Sequence, residues 1–141
     1  MRTLLIAAAL ASLAVPALAQ SPIRERLAKA GQGELVAGDG PTYRAITGSG
    51  EVLLLQVAGD GRATLRASTK TDPQSFSNRQ LDALDAALAQ AGYNADQPLT
   101  AQACKSEAQF IFETNIEGRY RYGLGCEGDA LSKALAILRG R

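Results

Sequence analysis

Arginines at strand spacing, and two well-separated cysteines, are the side chains with the most chemistry to offer in this sequence. Arg62 and Arg66 lie four apart in one alternating segment, Arg119 and Arg121 two apart in another, and Arg44 in a third. A guanidinium presents a planar fork of donors that matches carboxylate and phosphate oxygens, so a cluster of them on one surface would recognise anionic groups. The plainer reading is solvation. Arginines on the wet side of a sheet confer solubility, and Glu51 and Glu113 stand where cross-strand pairs would neutralise them.

Catalysis has few routes. No histidine occurs among the 141 residues, which removes imidazole bases, histidine triads and His-containing zinc sites. A carboxylate pair or a serine activated by lysine remains open, yet Lys29, Lys70, Lys105 and Lys133 keep no family spacing to any serine. Asp82 and Asp85 are three apart, as acid and base on one helix would be, but on the polar side of an amphipathic helix such carboxylates are ordinarily solvated. The turns Gly38-Asp39-Gly40 and Gly59-Asp60-Gly61 carry one carboxylate each, too few for a calcium loop. No catalytic residue, metal site or cofactor is assigned.

Cys104 and Cys126 lack the Cys-x-x-Cys spacing of a redox pair, and an even count in an exported chain predicts a disulfide. Closing that loop contributes on the order of 3 kcal/mol in the chain-entropy model. Export is read from the N-terminus. Arg2 is a positive n-region, Leu4 to Leu18 an apolar h-region, and Ala17-Leu18-Ala19 a small-x-small site, which predicts a leader over 1–19 and cleavage between Ala19 and Gln20. The expected location is the periplasm or the medium, with no membrane span left after cleavage; an uncleaved anchor is the alternative. Loss of Arg2 leaves basic and acidic side chains in balance. That balance, with few aromatics and no tryptophan, argues against a nucleic-acid partner.

These side chains need elements to hold them. Residues 20–33 form an N-terminal segment in which Ser21 and Pro22 open a short helix carrying Ile23, Leu27 and Ala30, closed by Gly31. Residues 34–141 read as a single domain. From 34 to about 69, turn glycines divide the chain into strand-length pieces of a meander. Within it Val-Ala-Gly-Asp-Gly occurs at 36–40 and again at 57–61, which predicts two similar hairpin turns. Ser77 and Gln80 form a capping box, Phe76 and Leu81 a hydrophobic staple; Leu81, Leu84, Leu88 and Ala91 line the helix they open, and Gly92 closes it. Residues 93–103 read as a loop. A hairpin over 107–126 follows, turning at Glu117-Gly118, with Phe110, Phe112 and Ile116 alternating on one strand and Tyr120, Tyr122 and Leu124 on the other. Asp129 caps a last helix bearing Leu131, Leu135 and Leu138.

The assembled expectation is an α+β two-layer sandwich: an antiparallel sheet of five to six strands with two amphipathic helices on one face, and one disulfide. Alternation then sets Arg62 and Arg66 against Leu65, and Arg119 and Arg121 against Tyr120 and Tyr122. Arg44, Arg62, Arg66, Arg119 and Arg121 are thereby expected together on the outer, wet face.

The pattern Phe-Ser-x-x-Gln-Leu-x-x-Leu over Phe76 to Leu84, set between hairpin strands, a second hairpin and a terminal helix, resembles the emfourin-type protein inhibitors of metalloproteases. The likeness concerns architecture over residues about 42 to 138 and implies an inhibitory domain. No functional residue is carried over from it. Two functions follow as expectations. The first is a non-catalytic module that binds or inhibits another periplasmic or secreted protein through its sheet face or loops. The second is a small-molecule binder or weak hydrolase, with a pocket between helices and sheet to which Tyr93, Tyr120 or Tyr122 would give polar contacts. A continuous arginine patch favours the first, a tyrosine-lined pocket the second.

Overall fold

The computed structural model describes residues 22–93, 104 and 108–140. The leader, its cleavage site, Ser21 and the loop from 94 to 103 lie outside the described residues. Two compact units are present, Met1–Glu34 and Leu35–Arg141. The first contains α1 (Pro22–Lys29), with proline at its first position, Glu25 in its first turn and Arg26 and Lys29 in its last, each charge placed to complement the helix dipole.

The second unit is an α+β fold. Its elements run β1 (Thr42–Ile46), β2 (Val52–Val57), β3 (Ala63–Ala67), β4 (Gln74–Phe76), α2 (Asn78–Gln90), β5 (Gln109–Ile116), β6 (Arg119–Cys126) and α3 (Ser132–Leu138). Among the described residues six strands form one antiparallel sheet in the order β4-β3-β2-β1-β5-β6. The first strand in sequence is thus interior, paired with β2 on one side and with the late hairpin on the other.

Helices α2 and α3 contact each other and cover one face. Leu84, Ala87 and Leu88 of α2 and Ala134, Leu135 and Leu138 of α3 bury against Tyr43, Ala45, Leu53, Leu55, Leu65, Phe110 and Phe112. Local signals account for the helix ends. Ser77 Oγ accepts from Gln80 N–H at 3.1 Å and Gln80 Oε1 accepts from Ser77 N–H at 2.8 Å, the expected capping box. Gly92 takes φ 76°, so Tyr93 N–H reaches back to the Leu88 carbonyl at 2.9 Å and its ring enters the core. The disulfide Cys104–Cys126 ties Cys104 to the end of β6.

Four expectations are corrected. Residues 35–41 form no strand; the backbone of Leu35 is bound by side chains, its N–H to Glu113 Oε2 at 3.2 Å and its carbonyl by Asn115 Nδ2 at 3.1 Å. Of the two Val-Ala-Gly-Asp-Gly copies only the second is a hairpin turn, between β2 and β3, while the first leads into β1. Asp129 acts one turn ahead of α3: its two oxygens accept from Cys126 N–H at 2.8 Å and Ser132 N–H at 3.1 Å, joining the end of β6 to the helix start. Lastly, the face away from α2 and α3 is not uniformly wet, since Ile46, Ile111, Arg44, Glu113 and Asn115 on it are buried.

Candidate functional site

The hairpin turn decides where the arginines go. Glu117 and Gly118 have φ of 55° and 79°, both positive, as the two central residues of a type I′ turn require. Such a turn sets Ile116 opposite Arg119, and the ladder continues with Thr114 opposite Arg121, Phe112 opposite Gly123 and Phe110 opposite Gly125. Opposed residues share a face. Arg119 and Arg121 therefore lie on the helix-covered side with Phe110 and Phe112, while Tyr120 and Tyr122 lie on the other. This reverses the side expected for all four. Space explains the choice: a Cβ at Gly125 would overlap the Phe110 ring, and one at Gly123 would crowd Tyr93 and Leu131. The core side of β6 is bare because its neighbours' rings fill it.

The expected arginine surface is accordingly divided. Arg44 lies on the far face, opposite Leu54 on β2 and Glu113 on β5, and Arg66 lies beyond Leu54 in the same row. Arg44 Nε stands 2.6 Å from Glu113 Oε1, with both side chains out of solvent, so its charge is matched internally. Tyr120 OH donates to the other oxygen of that carboxylate at 2.6 Å. Arg62 is exposed and 3.6 Å from Asp60. It shares with Arg66, Thr64, Gln56 and Asp39 an open concavity of about 480 Å³ at the β3 side of the sheet. The five arginines thus occupy three environments.

On the helix side, Arg119 and Arg121 line a second cavity, of about 460 Å³, between α2 and the β5–β6 hairpin. Its polar wall holds Tyr43, Asp85, Tyr93, Glu117 and the two arginines; Pro41, Leu88 and Ile116 make the apolar part. Tyr43 OH donates to Asp85 Oδ1 at 2.9 Å, joining β1 to α2 across the mouth. Tyr93 OH donates to the Arg121 carbonyl at 2.8 Å, lies 3.2 Å from the Phe112 carbonyl oxygen, and accepts from Thr114 Oγ1 at 3.4 Å. Of the tyrosines expected at a pocket, Tyr93 is there and Tyr120 and Tyr122 are not.

Both cavity hydroxyls hold their protons tightly. Burial raises the pKa of Tyr43 well above the ordinary tyrosine value, and the charge and hydrogen bond of Asp85 push it further. Burial likewise raises that of Tyr93, outweighing the hydrogen bond from Thr114 and the Arg121 charge, which pull it down. Hydroxyls in this state donate hydrogen bonds and leave ligand protons alone. The arrangement is therefore suited to holding an anionic group by guanidinium forks.

Tyr43, Asp85 and Glu117 were missed as site residues. Asp85 reads in the sequence as a solvated helix carboxylate. Glu117 did carry a signal, because a type I′ turn favours Asn-Gly, whereas a glutamate at positive φ costs on the order of 1 kcal/mol. Among the described residues it is the sole non-glycine in that region. No group of three His, Cys, Asp or Glu side chains among the described residues is placed to hold a metal ion. No family model, curated protein or solved structure matches this chain.

Proposed function

We propose that the protein is an exported binding module that takes a carboxylate-bearing ligand into the cavity between α2 and the β5–β6 hairpin. The observation that carries this reading is the shared position of Arg119 and Arg121, two residues apart on one face of β6, in a cavity with Tyr93 and with apolar walls. An expected continuous arginine surface would have favoured a flat protein-docking face; its division over both sides of the sheet favours the pocket instead. Export is supported by the disulfide, and no described helix is long and apolar enough to cross a membrane. An inhibitory role of emfourin type is the second reading. It is supported by the order meander, helix, hairpin, helix, and its partner would offer an acidic side chain or chain end to the same cavity.

The test is a titration of the disulfide-bonded protein with N-acetyl-leucine, followed by two-dimensional amide NMR. Saturable shifts at Tyr93, Arg119 and Arg121 are expected, with Arg121→Ser weakening binding by about tenfold, as loss of one charged hydrogen-bonding partner implies. Arg62→Ser with Arg66→Ser is expected to leave it unchanged. Shifts confined to β3, or equal binding by Arg121→Ser, would reject the site.

A further inference from the structure

The cavity carries both signs of charge, and that narrows its ligand. We infer that the ligand is a zwitterion of the amino-acid type: its carboxylate lies against Arg119 and Arg121, its ammonium against Asp85 and Glu117, and its side chain against Pro41, Leu88 and Ile116. The inference rests on the carboxylate-pocket reading above and names the ligand class.

Asp85 and Glu117 set negative charge in the same cavity as the two guanidinium groups, so a plain anion meets attraction and repulsion together, whereas a zwitterion matches both signs. Among the described residues Asp85 is bonded by the Tyr43 hydroxyl alone, at Oδ1, which leaves Oδ2 for a ligand donor. Tyr43 keeps its proton, so it brings no negative charge of its own to the cavity. Glu117 has no hydrogen-bond or ion-pair partner among the described residues. It also occupies a backbone position better filled by asparagine, so its carboxylate is present at a cost to the turn. A cavity of about 460 Å³ suits a single amino acid or a dipeptide.

The experiment compares leucine, N-acetyl-leucine and isoamylamine, with phenylalanine and its N-acetyl form alongside, against the full disulfide-bonded protein at neutral pH by calorimetry. Leucine or phenylalanine is expected to bind at least tenfold more tightly than its acetylated form or the amine. Equal binding of free and acetylated amino acid overturns the ammonium contact while leaving the carboxylate pocket standing. Binding of the amine alone, or of none of the probes, overturns both. Two variants separate structure from recognition. Asp85→Asn keeps an acceptor for Tyr43 and is expected to lower amino-acid affinity severalfold without lowering that of the acetylated form. Glu117→Asn is expected to raise the thermal midpoint and to weaken amino-acid binding in the same protein; a higher midpoint with unchanged affinity would reduce Glu117 to a turn residue and reject its contact.

Discussion

Glu113 and Arg44 face each other across the β1–β5 ladder, 2.6 Å apart and both out of solvent, and the same carboxylate also receives the Tyr120 hydroxyl and the Leu35 N–H. One buried charge thus gathers a β1 arginine, a β6 tyrosine and the backbone that enters the domain.

Neutralising that carboxylate removes the buried counter-charge that Arg44 faces. Glu113→Gln is expected to cost about 3 to 5 kcal/mol, the usual penalty for breaking a buried ion pair from one side. Combining Glu113→Leu with Arg44→Met should recover much of the loss, because it removes both charges together. Urea denaturation read by circular dichroism measures both, and an unchanged midpoint for Glu113→Gln would show that the pair contributes no stability.

Alkaline pH should unfold the protein through its tyrosines. Tyr43 and Tyr93 have pKa values raised above the unfolded value of 10.0, so the folded state holds their protons longer than the unfolded state does. Stability from this source is complete below pH 10 and falls as pH rises beyond it. Absorbance titration of tyrosinate is expected to show the Tyr43 and Tyr93 hydroxyls ionising only together with loss of fold. Tyr43→Phe and Tyr93→Phe should each flatten the alkaline limb of the stability curve. If Tyr43 and Tyr93 ionise near 10 in folded protein, their hydroxyls are not held as described.

Protein recovered from the periplasm of an expressing cell is expected by mass to begin at Gln20 and to contain no free thiol. An intact Met1 would reject the leader. Reduction of Cys104–Cys126, which are 22 residues apart, should then lower stability by about 3 kcal/mol, measured as a shift in denaturation midpoint with and without reductant.

Much of the architecture was legible because its signals are local. The Ser77–Gln80 capping box, Gly92 past the end of α2, the Glu117-Gly118 turn and the cysteine pair each read correctly from a few neighbouring residues. The site was less legible because it depends on which way β6 faces. Tyr120, Tyr122 and Leu124 look like an inward face by hydrophobicity, and Gly123 and Gly125 look like nothing at all. The decisive facts are the register imposed by a two-residue turn and the Phe110 ring lying over Gly125. The first was available in the sequence; the second needed the packing. The burial of Arg44 depends on Glu113, a partner 69 positions away, and no local pattern announces it.

Strand order also sets a timetable. β1 is among the first elements to emerge from a ribosome or a translocation channel, yet one of its edges has no partner until β5 arrives, and the Leu35 backbone waits 78 residues for Glu113. The early meander can pair within itself, but the interior of the sheet closes only when the last hairpin docks. A chain wired in this way stays incomplete, and open to handling by a holding chaperone or a channel, until nearly all of it has been delivered.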